Sequence, residues 1–409
     1  MNAVSTSAPW QQALDAAVDG LAARLIAVRR HLHAHPEPSG FETETTRHLA
    51  AQLSTAGLTA RLGPGDRGLV VDAPDAASAP RIALRGDIDA LPIQEVAGRE
   101  YGSRHPGLMH ACGHDGHSAT VLGAALALHA LGQQGALPWP VPWRAIFQPA
   151  EESLTGAREM VAAGFLNGVA GIFSLHMDPS RAVGTVGVRV GTFTANCDSL
   201  RVTITGRGGH AARPHQTRDP IAALVQLVSS LYQAVPRGVD SQDPVVLSFG
   251  QIVAGDAANV IPERALLRGT LRTLDHQVRQ HALEQIQRIA AAIAAATGTE
   301  IVVARDEGIE SVLNDAQLTN LTRLAAVDLL GAQNVAEIPR PSMGSEDFAA
   351  YLDAVPGSMF RLGCASPTAG NSALHTPTFD LDERALAIGA KILARACILW
   401  ADPRRGDER

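Results

Sequence analysis

The chain has 409 residues, 46% apolar and 18% charged, which implies two or three domains at about 150 residues each and excludes a disordered chain. Lys plus Arg number 34 against 41 Asp plus Glu, a net charge of −7, and the absence of a basic stripe excludes a dedicated nucleic-acid binder. No apolar run reaches the roughly 20 residues of a membrane span, residues 1–13 lack the features of a secretory signal, and Cys112, Cys197, Cys364 and Cys397 are too sparse for a disulfide framework, so a reducing cytoplasm is expected.

Leu21, Leu25, Val28 and Leu32 recur at helical spacing and predict a helix running into the histidines at 31–35. Residues 42–58 form another helical stretch, closed at Gly57. Apolar runs at 81–85, 143–147 and 171–175 read as buried strands, and the Ala- and Leu-rich run 118–131 as a helix. Such alternation predicts an α/β domain with a mostly parallel, helix-covered sheet. Chemically loaded residues follow each strand: Asp87 the first, Gln148 to Glu152 the second, His176 the third. Ligands bind beyond the carboxyl ends of the strands in sheets of this kind.

From Gly191 the pattern changes. Leu200, Val202 and Ile204 alternate as in a strand. Asp219-Pro220 is an N-cap followed by Pro at the first helical position, and Ile221, Leu224, Val225, Val228 and Leu231 make one helical face. Strands follow at 245–253 and 265–271, then a helical face of Val278, Ala282, Ile286, Ile289 and Ile293 closed at Gly298, then a strand at 301–304. The order β-α-β-β-α-β is ferredoxin-like. It predicts a domain of residues 191–306 inserted into a first domain of 1–190 and 307–409, with helices at 315–330 and 382–400 completing that first domain. The charged tail 402–409 is expected to be disordered.

The histidines, 15 in number, cluster. In Met109-His110-Ala111-Cys112-Gly113-His114-Asp115-Gly116-His117, alternation puts Cys112 and His114 on one side of an extended segment. Thiolate and imidazole suit zinc and its first-row neighbours. In Gln148-Pro149-Ala150-Glu151-Glu152, two acids directly after a buried strand are costly unless compensated. Their side chains diverge, so one can bind a cation while the other takes a proton from water beside it. His176 ends an apolar run, and His375 lies in Leu374-His375-Thr376-Pro377. Cys112, His114, Glu152, His176 and His375 are more donors than one zinc needs, and two metals sharing a ligand is the economical count.

Six segments in this order carry a resemblance: Arg85-Gly86-Asp87-Ile88-Asp89-Ala90-Leu91-Pro92-Ile93, then 109–117, 147–152, Gly206-Arg207-Gly208-Gly209-His210, Asn259-Val260-Ile261-Pro262 and 375–383. They resemble the M20 metallopeptidases, specifically the amidohydrolase subfamily of hippurate hydrolases, N-acyl-amino-acid amidohydrolases and auxin-conjugate hydrolases. The resemblance runs from the histidines at 31–35 to about Leu386. Gly86 stands where Ala is usual and Leu154-Thr155-Gly156 where a Gly pair is usual, and neither touches an expected ligand.

The resemblance implies a zinc-exopeptidase-like catalytic domain with an inserted lid and dimerisation domain. It implies two divalent metal ions per subunit (zinc, manganese, cobalt or nickel) held by Cys112, His114, Glu152, His176 and His375, with Cys112 bridging. Glu151 is then the general base and later acid, and Asp87 supports the metal site from behind its ligands. His210 is supplied to the partner subunit of a homodimer, where it stabilises the oxyanion. Asn259 and Arg272 hold the substrate carboxylate, the Arg fork being suited to bidentate binding. Residues 343–348 resemble a pocket-lining loop of the family. The expected reaction is hydrolysis of N-acyl amino acids to a carboxylic acid and a free amino acid, with a carboxypeptidase or dipeptidase acting on short peptides as the alternative. A non-catalytic binding protein would be expected to have lost Glu151 or a ligand, and all are present.

Overall fold

The computed structural model describes residues 8–74 and 80–405. It divides into two compact units. The first comprises Met1–Gly191, Leu313–Arg340 and Asp347–Arg409, and the second Thr192–Val312 with Pro341–Glu346.

In chain order the principal elements are helix α1 (Pro9–Ala34), α2 (Thr43–Ser54), strand β1 (Arg81–Asp87), α3 (His114–Gln133), β2 (Trp143–Gln148), β3 (Val169–Ala182), β4 (Asn196–Thr205), α4 (Pro220–Ala234), β5 (Val245–Ala254), β6 (Arg264–Thr273), α5 (His276–Thr297), β7 (Glu300–Ile309), α6 (Ala316–Leu330), β8 (Gly357–Ala365) and α7 (Arg384–Trp400).

An eight-stranded sheet organises the first unit. Its centre is β2-β1-β3-β8, all parallel, and antiparallel pairing is confined to flanking strands such as Leu69–Asp72 beside β2. From Ile82 onward every residue of β1 is buried, because the sheet is covered on both faces. Helix α3 is buried almost all round, from His114 to His129 without a break, so its apolar residues show no single stripe. A Cβ on Gly123 would stand 2.7 Å from Leu25 and 3.1 Å from Ala390. That glycine lets α1, α3 and α7 approach one another closely.

The second unit contains β4-α4-β5-β6-α5-β7. Its strands form an antiparallel sheet in the order β5-β6-β4-β7, and Leu224, Leu227, Leu231, Ala282 and Ile286 pack on one face of it. Asp219 caps α4 by accepting from Ile221 N at 2.8 Å.

Two boundaries differ from those read off the sequence. The last strand of this unit passes a bulge between Arg305 and Gly308 and continues to Ile309, so the unit runs to Val312 rather than to residue 306. Residues 341–346 also return to it, through Ser342 N donating to Phe193 O and Ala195 N to Gly344 O, both at 2.9 Å. The expected disorder of the tail does not hold for residues 402–405: Asp402 is buried, and Arg404 folds back onto it at 2.7 Å. Residues 406–409 of that tail lie outside the described residues.

Candidate metal centre

The carboxyl ends of β1 and β2 deliver the chemistry together with His176, which stands within β3 and not after it, because that strand continues past the apolar run to Ala182. β1 ends at Asp87, and the chain passes on to Asp89. Helix α3 begins at His114 behind Gly113, whose φ of 93° is a conformation glycine adopts without strain. After β2 the chain turns at Ala150, with φ 53°, and presents Glu151 and Glu152. Left-handed backbone at a residue with a side chain costs about 1–3 kcal/mol unless its surroundings hold it. Here Glu42 Oε1 accepts from Ala150 N at 2.8 Å and Asp89 Oδ2 from Glu152 N at 2.9 Å. His375 also has a left-handed φ of 60°, and its N–H donates to Ala111 O at 2.8 Å. Ala150, Leu154 and His375 are three of the four non-glycine residues with positive φ among the described residues, so backbone strain concentrates where the side chains converge.

Cys112 Sγ lies 3.5 Å from His176 Nε2 and 3.3 Å from His375 Nε2. His375 Nε2 is 3.4 Å from Glu152 Oε1, and His114 Nε2 is 3.7 Å from Glu151 Oε2 and 3.9 Å from Glu152 Oε1. The donor atoms of Cys112, Glu152 and His375 lie within 4.8 Å of one another, as do those of His114, Glu151 and Glu152. These are two adjoining sets that share Glu152.

Hydrogen bonds decide which ring nitrogens can bind a cation. His114 Nδ1 lies 3.0 Å from both the carbonyl and Oδ1 of Asp89, and His176 Nδ1 lies 2.7 Å from Met177 O. Both nitrogens donate to these oxygens, so in the neutral rings both Nε2 atoms carry the lone pair, the usual arrangement of a metal-bound imidazole. His117 is the opposite case. Its Nε2 accepts from Met177 N at 2.9 Å and its Nδ1 donates to Asp87 Oδ1 at 2.7 Å, so it has no lone pair to offer.

A divalent cation fits this donor set. His114 Nε2 and Glu152 Oε1 are buried without a hydrogen-bond partner, which is costly for polar atoms and is relieved by coordination. Burial pushes the Cys112 thiol up to about 12, so a thiolate there requires a cation beside it. Burial would also raise Asp87, but His114, His117 and Arg85 hold its carboxyl well below the usual range.

Residues behind the centre fix it in place. Arg85 donates to Asp87 at 2.6 Å and to Asp347 at 2.9 Å. Asp347 accepts from Gln148 at 2.8 Å and from Ala157 N at 2.9 Å, while its own N–H donates to Glu151 Oε1 at 3.4 Å. In the first turn of α3, Asp115 accepts from Arg29 and His33, each at 2.8 Å. Arg29 also reaches Asp380 at 2.7 Å, tying the segment that follows His375 to α1. Burial disfavours the charged His33 ring, yet hydrogen bonds to Asp115 and Glu95 raise its pKa.

The profile of Peptidase family M20/M25/M40 matches residues 83–398. The chain belongs to that family. It is 39% identical to N-acetylcysteine deacetylase of Bacillus subtilis, over 92% of this chain and 96% of that protein. It is 34% identical to thermostable carboxypeptidase 2 of Saccharolobus solfataricus, over 92% and 95%. Among solved structures it matches a dinuclear metal-binding M20 peptidase of Bacillus subtilis at 35% identity, with a TM-score of 0.79 over 93% of this chain and 99% of that one.

Within this M20 chain the structure brings together seven of the ten site residues expected from sequence: Asp87, Cys112, His114, Glu151, Glu152, His176 and His375. The other three belong to the second unit. His210 sits on a two-residue strand paired with Val260; it is exposed, and its Nδ1 accepts from Ala212 N at 3.1 Å. Asn259 lies next to it, accepting from Ala211 N at 3.1 Å. Arg272, on β6, donates to Met343 O at 3.0 Å.

Sequence reasoning chose Asp87 as the support of the metal ligands; Asp87 Oδ2 stands 3.8 Å from His114 Nε2, and the structure adds Asp89 to it. Asp89 orients His114, whereas Asp87 is engaged by His117 and Arg85. In extended backbone the two aspartates point the same way, so nothing in Asp87-Ile88-Asp89 separates their tasks. Asp347 lay in the loop to which no role was given, and no local signal marks it.

Proposed function

We propose that this M20 enzyme hydrolyses the amide bond of N-acyl amino acids, with two divalent ions held by Cys112, His114, Glu152, His176 and His375. The observation that carries this reading is Cys112 Sγ between two imidazole Nε2 atoms, beside Glu151 and Glu152, whose carboxylates both reach towards His114 Nε2. When bound, the ions supply Lewis acidity for the amide carbonyl and lower the pKa of neighbouring water. Zinc, manganese, cobalt and nickel all suit the mixed sulfur, nitrogen and oxygen donors.

Glu151 takes the proton of the attacking water and returns it to the leaving nitrogen. Its carboxylate is held by the Asp347 N–H, which orients it for both transfers. Ala212 N donates to His210 Nδ1, so in the neutral ring the proton sits on Nε2, and His210 donates from there to the oxyanion of a partner subunit's site. Arg272 and Asn259 bind the substrate carboxylate. The homodimer forms through the second unit, whose edge strand β5 exposes Val246, Ile252 and Val253 and offers unpaired backbone. No helix among the described residues is long and apolar enough to cross a membrane, and we place the enzyme in the cytoplasm.

The carboxypeptidase relative favours a second reading, in which the same centre cleaves short peptides. A metal-supplemented hydrolysis screen over N-acetyl, N-benzoyl and indole-acetyl amino acids beside dipeptides tests both. We expect turnover of the N-acyl substrates; turnover of dipeptides alone would replace the first reading by the second.

A further inference from the structure

His375 is held differently from the other imidazoles of the metal centre. His114 and His176 each donate Nδ1 to an oxygen of the chain. Among the described residues no hydrogen bond reaches His375 Nδ1, and its side chain is 52% exposed. The place of its ring therefore depends on the backbone that carries it.

That backbone is fastened at successive points after His375. Val96 N donates to Pro377 O at 3.1 Å, and Arg99 Nη2 to Thr378 O at 2.7 Å. Asp380 accepts from Arg29 at 2.7 Å and from the Tyr101 hydroxyl at 2.8 Å. Glu383, at the start of α7, accepts from Arg30 through both oxygens, at 2.8 and 2.7 Å. The Tyr101 ring lies against the Arg29 and Arg30 guanidinium groups at 4.8 and 4.7 Å, a planar stacking that lysine does not reproduce.

Arg29 is the junction of this cluster. It is fully buried, and its Nε donates to Asp115 at 2.8 Å while its Nη2 donates to Asp380. Asp115 follows His114 directly. One guanidinium thus spans the helix start that presents His114 and the segment that presents His375, and its planar fork fixes the directions of both contacts. Burial would raise the Asp380 carboxyl, but Arg29 and then Arg99 hold it below its usual range, so the contact is between charges. The packing of α1 on α7 has a separate anchor, Arg395 with Asp15 at 2.8 Å, which leaves the Arg29 cluster to serve the segment after His375.

We propose, on the dinuclear reading of the centre, that Arg29 and Asp380 are positioning residues for His375. They set its distance from Cys112 and His114 and so govern the affinity for the cation that His375 ligates. Neither residue touches that cation.

The test measures stepwise Zn(II) dissociation constants of the full chain by chelator competition. The natural chain is compared with His375→Ala, Asp380→Asn, Arg29→Lys, Arg395→Gln and the double variant His375→Ala with Asp380→Asn. Circular dichroism checks the fold of each, and Asp380→Asn decides if Arg29→Lys does not fold. His375→Ala should weaken one of two ions. Asp380→Asn and Arg29→Lys should weaken one ion about 10- to 100-fold, as loss of a residue behind a ligand does, and leave the other unchanged. In the His375→Ala background Asp380→Asn should add no further loss, because the two act through one ligand. Arg395→Gln should lower the melting temperature and leave both constants unchanged. Natural constants in Asp380→Asn, equal weakening of both ions, or fully additive losses in the double variant would overturn the proposal. Fewer than two ions on the natural chain would overturn the dinuclear reading itself, and the proposal with it.

Discussion

The two units carry their expected functional residues in opposite ways. In the first, each member of the centre is buried or half-buried except His375, and His114, His176 and Glu151 each have a partner that sets their orientation. Asp89 sets His114, Met177 O sets His176, and Asp347 N sets Glu151. In the second, His210 and Asn259 are exposed on a two-stranded ribbon, and within that unit they do only what any turn residue does. A chain does not hold an imidazole on an exposed ribbon to stabilise itself, and a glycine-rich approach such as Gly206-Arg207-Gly208-Gly209 buries no core. The first unit thus supplies partners for its own residues, whereas the roles proposed for those of the second lie outside that unit.

The sharpest break of this comparison is at Glu151. Glu151→Gln keeps the shape of the side chain and leaves all five proposed ligands, so bound metal measured by atomic absorption should stay near that of the natural chain. Turnover should fall by roughly a hundred- to ten-thousand-fold, the contribution of a positioned base. A metal-replete variant that keeps most of its activity removes Glu151 from the mechanism.

His210 tests the other side. His210→Ala should lower kcat by about a hundred- to a thousand-fold, as does loss of one oxyanion donor, with little change in melting temperature because the ring is exposed. Mixing His210→Ala with Glu151→Gln after reversible subunit dissociation then asks where His210 acts. Random pairing makes half the dimers mixed, and each mixed dimer has one intact site of two, so activity should return towards a quarter of the natural level. Recovery fails if His210 serves its own chain.

Within the first unit, the aspartates 87 and 89 should separate. Asp89→Asn weakens the acceptor that orients His114 and should reduce metal affinity about 10- to 100-fold in a chelator competition. Asp87→Asn leaves Arg85 and His117 facing a neutral group in a fully buried position. Breaking a buried pair costs on the order of 3–5 kcal/mol, so its main effect should appear in thermal unfolding. Interchanged outcomes would return the supporting role to Asp87.

The sequence made the architecture legible because it is written in periodicity: short buried runs followed by polar residues, then alternation and two amphipathic helices in ferredoxin-like order. The proposed ligands could be picked out because thiol, imidazole and carboxylate clustered near buried strands have few structural uses. Asp89, Asp347 and the pairing of Arg29 with Asp115 were not, since their roles arise from contacts across 25, 196 and 86 residues of chain. Residues 341–346 returned to the second unit for the same reason; backbone hydrogen bonds to Phe193 and Ala195 leave no trace in local composition.

The smallest expected effect is on stability against pH, and it too should belong to the first unit. His48 falls from an ordinary 6.5 to about 4 in the folded chain, mainly through burial. Between those values the unfolded chain binds a proton at this ring that the folded chain refuses, so stability must decline as pH falls from 6.5 towards 4. Each such ring contributes at most one proton to the slope. His48→Gln should flatten the decline measured by denaturant unfolding of the metal-free chain across this range. An unaltered slope in His48→Gln would mean that the ring titrates normally.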